Sequence, residues 1–207
     1  MTVLLSSTYF GPIQWYQKLN RFDKILIEQH DSFVKQTYRN RCIIATANGH
    51  LQLSVPTSAA PSDIAGSQNA TLVSDHGNWQ HVHWNALKSA YGESPFFEYY
   101  ADDILPFFEK EQGNLYQYNM RICHTICQLL DIEPDISLTD HYISREEVAD
   151  MGITDLRDVI RPKHPLPDPD FEPKRYYQVY GQRHGFLPNL SILDLLFNMG
   201  NESVLWL

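Results

Sequence analysis

The stretch 31–56, DSFVKQTYRNRCIIATANGHLQLSVP, constrains the fold more than any other part of the chain. Its Asn48-Gly49 dipeptide tolerates the positive φ values of a tight hairpin turn. A two-residue turn there pairs Ala47 with His50, Thr46 with Leu51, Ile44 with Leu53 and Cys42 with Val55. Leu51, Leu53 and Val55 alternate with His50, Gln52 and Ser54, so the second strand carries one apolar face. Ile44 and Cys42 supply the matching face of the first. Extended back to Tyr38, the first strand aims Tyr38 and Asn40 at the core and Arg39 and Arg41 away from it. An inward amide without partners costs about 1–3 kcal/mol, so Asn40 requires either backbone groups or a ligand.

Lys35 precedes the arginine pair, so the segment 31–41 sets Lys35, Arg39 and Arg41 against Asp31 alone. The whole chain has a formal charge of −9, which makes this a positive island in an acidic protein. One reading is a solvated sheet face. The other is an anion pocket in which Arg41 forks onto phosphate or carboxylate and Lys35 adds a point charge. Spacing alone does not separate them.

A chain of 207 residues suits one large α/β domain that buries its core without disulfides or metal. The acidic balance argues against general nucleic-acid binding and against an anionic membrane surface, since both need a basic face. Cys42, Cys123 and Cys127 are too few, and odd in number, for a disulfide scaffold. The start MTVLLSSTYFGPIQW lacks a basic leader, and no window reaches the length of a membrane span. Together these features predict a soluble protein of a reducing cytoplasm.

Taken in order, Val3-Leu4-Leu5 reads as a buried strand that ends in small hydroxyl residues. Gly11-Pro12 breaks it, and Ile13, Tyr16, Leu19 and Phe22 follow at helical spacing, predicting a helix over about 12–21. Residues 24–27 form a second strand, and strand, helix, strand in this order predicts a parallel βαβ start. Ligands of such units favour the crevice beyond the carboxyl ends of the strands, here near Ser6, Ser7, Thr8 and Tyr9 and near 28–31. The Ser-, Ala- and Pro-rich run 56–74 reads as a loop. Its length suits either a mobile cover, over about 57–77, or a variable surface loop.

Helical spacing resumes with a helix over about 78–91, two short helices split at Pro106 in the aromatic belt 96–108, and a long helix to about 130 capped by Asn114. A strand at 136–138 follows, then a helix over 144–160 opened by a Ser144/Glu147 capping box and ended or divided at Met151-Gly152. The proline-rich run 161–173 is extended, 176–180 is an edge strand and 191–197 a terminal helix closed by Gly200. The fold class is α/β: a mixed sheet started by a βαβ unit and a β-hairpin, with a helical middle region packed on it. One domain spans 1–207, with sheet-forming residues about 1–56, a helical part about 78–131 and a C-terminal extension from 132.

Signals for chemistry are sparse. His81 and His83 diverge on a helix, and no HExxH or CxxC accompanies them, so no metal site is expected. His83 alone is either a general base, with an ordinary pKa near cytosolic pH, or a hydrogen-bonded structural histidine beside tryptophans. Cys123 and Cys127 share a helix face as core filler, and Cys42 lies in the hairpin core. G-x-S-x-G, P-loop and G-x-G-x-x-G motifs are absent, which leaves no nucleophile and no cofactor fingerprint and makes direct transfer between two substrates the default for an enzyme.

Phe33, Lys35, Tyr38, Asn40 and Arg41, followed by Asn48-Gly49 and Val55-Pro56, resemble the signature of the WbqC-like family. Its bacterial members are associated with O-antigen and other surface-polysaccharide gene clusters. Tyr9-Phe10-Gly11-Pro12 and Tyr16 resemble the family's aromatic element after the first strand, with Ser6-Ser7 replacing the usual Gln-Pro. His83, Tyr91, Pro95 and Phe97 fit further family positions, and Tyr177-Gln178 with the run 185–194 resembles the ending of Bacteroidetes-type members. The resemblance implies a cytosolic transferase that moves an acyl or aminoacyl group onto an amino sugar, using no cofactor. Lys35 and Arg41 would hold phosphates of a small-molecule substrate, Tyr38, Asn40 and Tyr9 would orient it, and His83 would serve as base. A non-catalytic ligand-binding or scaffolding role in the same pathway is the alternative expectation. The sequence leaves oligomeric state open, homo-oligomer included.

Overall fold

A computed structural model describes residues 1–59, 71–110 and 112–207. The chain opens with β1 (Thr2–Ser6), α1 (Ile13–Arg21) and β2 (Lys24–Glu28), then forms a ribbon of β3 (Arg41–Thr46) and β4 (Gly49–Ser54). A short pair, β5 (Thr57–Ala59) and β6 (Thr71–Val73), precedes the helices α2 (Trp79–Tyr91), α3 (Phe97–Ile104) and α4 (Leu115–Leu129). Then come β7 (Ile136–Leu138), α5 (Arg145–Met151), β8 (Thr154–Asp155), α6 (Gly181–His184) and α7 (Ile192–Met199).

The expected βαβ unit is present: β1 and β2 run parallel, paired from Thr2 with Lys24 to Ser6 with Glu28. β7 adds outside β2 and β8 outside β1, both parallel, giving a four-stranded sheet in the order β7-β2-β1-β8. Alternation along the two central strands sorts their side chains. Val3, Leu5, Ile25 and Ile27 enter the main core, while Leu4 meets Ile143 and Ile153, with Leu26 and Val148, on the opposite face.

In the ribbon Thr46 faces Gly49, Ala45 faces His50, Ile44 faces Leu51 and Cys42 faces Leu53. The expected register is therefore corrected by two residues. Gly49 alone in the turn has positive φ (97°), so the connection is a type I turn closed by a left-handed glycine rather than a two-residue turn centred on Asn48-Gly49. A slip of two keeps every side chain on its face. Cys42, Ile44, Leu53 and Val55 are buried as expected, while Leu51 near the tip, expected on the same face, is exposed.

Four further expectations change. The first ribbon strand begins at Arg41, because residues 35–40 turn repeatedly, with Gln36 at φ 63°. The helix expected over 144–160 keeps its Ser144/Glu147 capping box but not its full length: it ends at the expected break, Met151-Gly152, where Gly152 adopts φ 63°, and Thr154–Asp155 then joins the sheet. Residues 176–180 are not a strand. Within the expected loop 56–74, β5 and β6 pair, while 60–70 lie outside the described residues, and with them most of the expected cover.

The terminal helix is the most deeply buried element, with Ile192, Leu193, Leu195, Leu196 and Phe197 all inaccessible. Backbone bonds stitch its entry to both halves of the sheet region: Ile13 N to Leu190 O (3.0 Å), Ser191 N to Ile43 O (2.8 Å) and Ile192 N to Gly11 O (2.9 Å). Asp194 is buried within this helix and accepts from Tyr91 Oη (2.8 Å), Tyr176 Oη (2.6 Å) and Gln178 Nε2 (3.0 Å). These three donors replace the water that the carboxylate loses on burial.

Candidate functional site

A polar cluster occupies the carboxyl edge of the parallel sheet. β2 ends at Glu28, which is almost fully buried. Its carboxylate takes four donors: His30 N (2.7 Å), Thr139 Oγ1 (3.0 Å), Ile143 N (3.2 Å) and Arg157 Nη1 (3.1 Å). Arg157, just past β8, also grips Asp155 through Nε (3.0 Å) and Nη2 (2.6 Å). The ends of β2, β7 and β8 are thus tied by one buried ion-pair network. A desolvated charge pair is tolerable only when its remaining donors and acceptors are also satisfied, and here they are.

Arg39 completes the site from the turn-rich segment before β3. Its Nη2 donates to Ser6 Oγ (2.9 Å) and forms an ion pair with Asp31. Asn119 on α4 pins the same region, donating to Ser7 Oγ (3.2 Å) and to the Arg39 carbonyl (2.8 Å). Asp31, Arg39, Glu28, Ser7 and Tyr116 line a crevice with about 30 Å³ of free space. That space admits one water-sized group, not a whole nucleotide. Burial raises the Asp31 carboxyl above its ordinary value, although Arg39 and Arg157 pull it down. Burial likewise raises the Tyr116 phenol, and its hydroxyl is buried without a partner among the described residues.

The residues named from sequence fall into two groups. Tyr9 and His83 meet: Tyr9 Oη lies 2.8 Å from Nδ1, inside a cage with Trp79, Tyr118 and Phe108. His83 is only 4% exposed. Burial pushes its pKa down to about 4, although the Ser54 backbone carbonyl, accepting from the ring, pulls it back up. That arrangement assigns the ring N–H to the Ser54 side and makes Tyr9 the donor to Nδ1.

The others lie at the ribbon's entrance. Tyr38 is buried, and its carbonyl accepts from Tyr9 N (2.8 Å). Asn40 donates to Val55 O (2.9 Å), while its Oδ1 is buried without a partner among the described residues. Arg41 Nη1 donates to Gln52 Oε1 (2.8 Å), and its Nε is buried with no acceptor among the described residues. Lys35 is exposed. The crevice is lined by Arg39, not by Lys35, Arg41 or His83.

Glu28 and Asp31 sit where the carboxyl-edge rule put them. Arg157 and Tyr116 carried no signal, and Arg39 was set on the wrong side by treating its segment as strand. A larger open groove of about 960 Å³ runs along α4 past Phe107, Met120 and Arg121. Its buried polar lining residue, Gln112, is already bonded to Arg121 and to the Phe107 carbonyl. Volume alone does not make a site there. Among the described residues no cluster of three or more metal-ligating side chains occurs, and no helix is long and apolar enough to cross a membrane.

The low His83 pKa has a measurable consequence. In the unfolded chain the imidazole titrates near its ordinary 6.5, and in the folded chain near 4. Between those values the unfolded state binds more protons, so His83 contributes stability that is complete above pH 6.5 and lost as pH falls toward 4. The full difference is about 3 kcal/mol. Asp194 acts oppositely, because burial raises its carboxyl and favours its protonated form. Comparing wild type with His83→Gln in urea melts across pH 4–7 isolates the histidine. The wild type is expected to lose its advantage on acidification; parallel curves would show that His83 is not buried neutral.

The architecture defines an α/β domain whose polar crevice opens at the carboxyl edge of a parallel sheet. The chain belongs to the WbqC-like protein family, whose model matches residues 6–160. It is also 29% identical to Rv1507c, an uncharacterised protein of Mycobacterium tuberculosis, over 97% of this chain and 94% of that protein. No solved structure matches it.

Proposed function

We propose that this chain is a transferase of surface-polysaccharide biosynthesis, moving an acyl or aminoacyl group onto a nucleotide-activated amino sugar. The observation that carries the reading is the carboxyl-edge crevice, where a rigid buried ion-pair network backs a half-open carboxylate, Asp31. Parallel α/β sheets bind ligands at this edge. Substrate phosphates are assigned to the ribbon entrance, supported by the orphaned N–H of Arg41, which a phosphate oxygen would satisfy, with Lys35 adding charge. Tyr38 and Asn40, whose Oδ1 also lacks a partner among the described residues, orient the sugar there.

Proton removal requires a base that substrate can touch. His83 is sealed, neutral at physiological pH and bonded to Tyr9, so serving as base would require the ribbon to open over it. In the closed arrangement the pair supports the wall, and Asp31 is the accessible base. Its raised pKa makes it a stronger proton acceptor than an ordinary carboxylate.

Titrating a panel of sugar nucleotides into wild type and Arg41→Ala tests the phosphate assignment. At least tenfold weaker binding by the variant is expected, in line with loss of a charged hydrogen bond. Equal affinities would remove it. The sealed imidazole also favours a rival, a ligand-binding protein without catalysis. That rival predicts a bound sugar nucleotide that stays unmodified after incubation with acyl donors.

A further inference from the structure

We propose that the crevice is a subsite for one primary ammonium group, held by Asp31 and Tyr116. This deepens the transferase reading by assigning the place where the acceptor presents its amine. Three observations converge on it.

The first is capacity. The free space of about 30 Å³ takes a single small group, so only the tip of a larger ligand can enter.

The second is charge. Glu28, Asp31 and Asp155 set three carboxylates against two guanidinium groups, Arg39 and Arg157. One net negative charge in a desolvated pocket disfavours phosphate and favours a cation.

The third is the inventory of spare hydrogen-bonding atoms. Glu28 is saturated by its four donors. Asp31 spends one oxygen on Arg39, and the other takes no hydrogen bond from a described residue. The Tyr116 hydroxyl, which also lines the crevice, is buried and unpartnered among the described residues. The spare atoms are a carboxylate oxygen and a phenol oxygen. Both accept, and an ammonium group brings three N–H donors together with the charge that the carboxylate attracts. A sugar hydroxyl brings one donor and no charge; a phosphate brings no donor when fully ionised and meets Asp31 as a like charge.

The test uses the full chain with three probes: glucosamine 1-phosphate, N-acetylglucosamine 1-phosphate and methylammonium chloride. Affinities come from calorimetry, and crevice occupancy from amide chemical shifts. Wild type is expected to bind the free amine at least tenfold more tightly than the acetylated sugar, and Asp31→Asn is expected to abolish that preference. Tyr116→Phe guards against an effect of misfolding. It removes only an orphaned oxygen, so its melting temperature should be unchanged or higher while amine affinity falls. Equal binding of both sugar phosphates overturns the ammonium subsite and leaves the transferase reading standing. If neither sugar phosphate binds but methylammonium shifts crevice resonances in wild type and not in Asp31→Asn, the subsite stands and the sugar-phosphate reading fails. No response to any probe overturns both.

Discussion

A chain cut after Ile160 is expected not to fold, although the family match ends at that residue. The cut removes Ile192, Leu193, Leu195, Leu196 and Phe197, all fully inaccessible within the main core. Burying one large aliphatic or aromatic side chain is worth about 1.5–3 kcal/mol, so five are worth about 8–15 kcal/mol. Net stabilities of whole domains are about 5–15 kcal/mol, the same size. The cut also takes away the backbone partners of Ile13, Gly11 and Ile43. Far-UV circular dichroism and a urea melt of residues 1–160 check this. A cooperative transition in the truncated chain would show that α7 decorates the core rather than completing it.

Glu28→Ala is expected to destabilise the full chain by about 3–5 kcal/mol, the usual cost of leaving one member of a buried ion pair alone. Arg157 keeps Asp155 but loses its inner carboxylate, and the backbone N–H groups of His30 and Ile143 lose their acceptor. For a chain of this size the melting temperature should fall by about 10 °C. Ligand binding should fail with it, since the network fixes the ends of β2, β7 and β8 behind the crevice. Asp31→Asn forms the contrast: its amide oxygen still accepts from Arg39, so it is expected to change binding more than stability. If Glu28→Ala melts like wild type, the network is not the rigid backing that the crevice requires.

Much of the fold was legible because its signals are local. The capping residues Asn114 and Ser144 each accept from a backbone N–H of the first helical turn, a pairing decided within a few residues of sequence. The core face of the ribbon survived a wrong turn type because an error of two residues does not change the face. Where local signals failed, a long-range contact had won. Met151-Gly152 marked an end or a division of α5, but the pairing of Thr154–Asp155 with β1 that follows is a bridge of two residues that no periodicity announces.

The candidate site divides along the same line. The carboxyl-edge rule reached Ser6, Ser7, Glu28 and Asp31 because a βαβ unit fixes which strand ends share an edge. Arg157 lies 129 residues from Glu28, and Asn119 lies 80 residues from Arg39, so no spacing could have joined them. By itself, the sequence determined the parallel start, the apolar face of the ribbon, the helix caps and the family. Tertiary structure alone decided which charges are paired, which imidazole is sealed and which oxygens are left over. Strand and helix periods follow from backbone geometry within one element, whereas the partner of a buried charge depends on where distant segments of the chain come to rest.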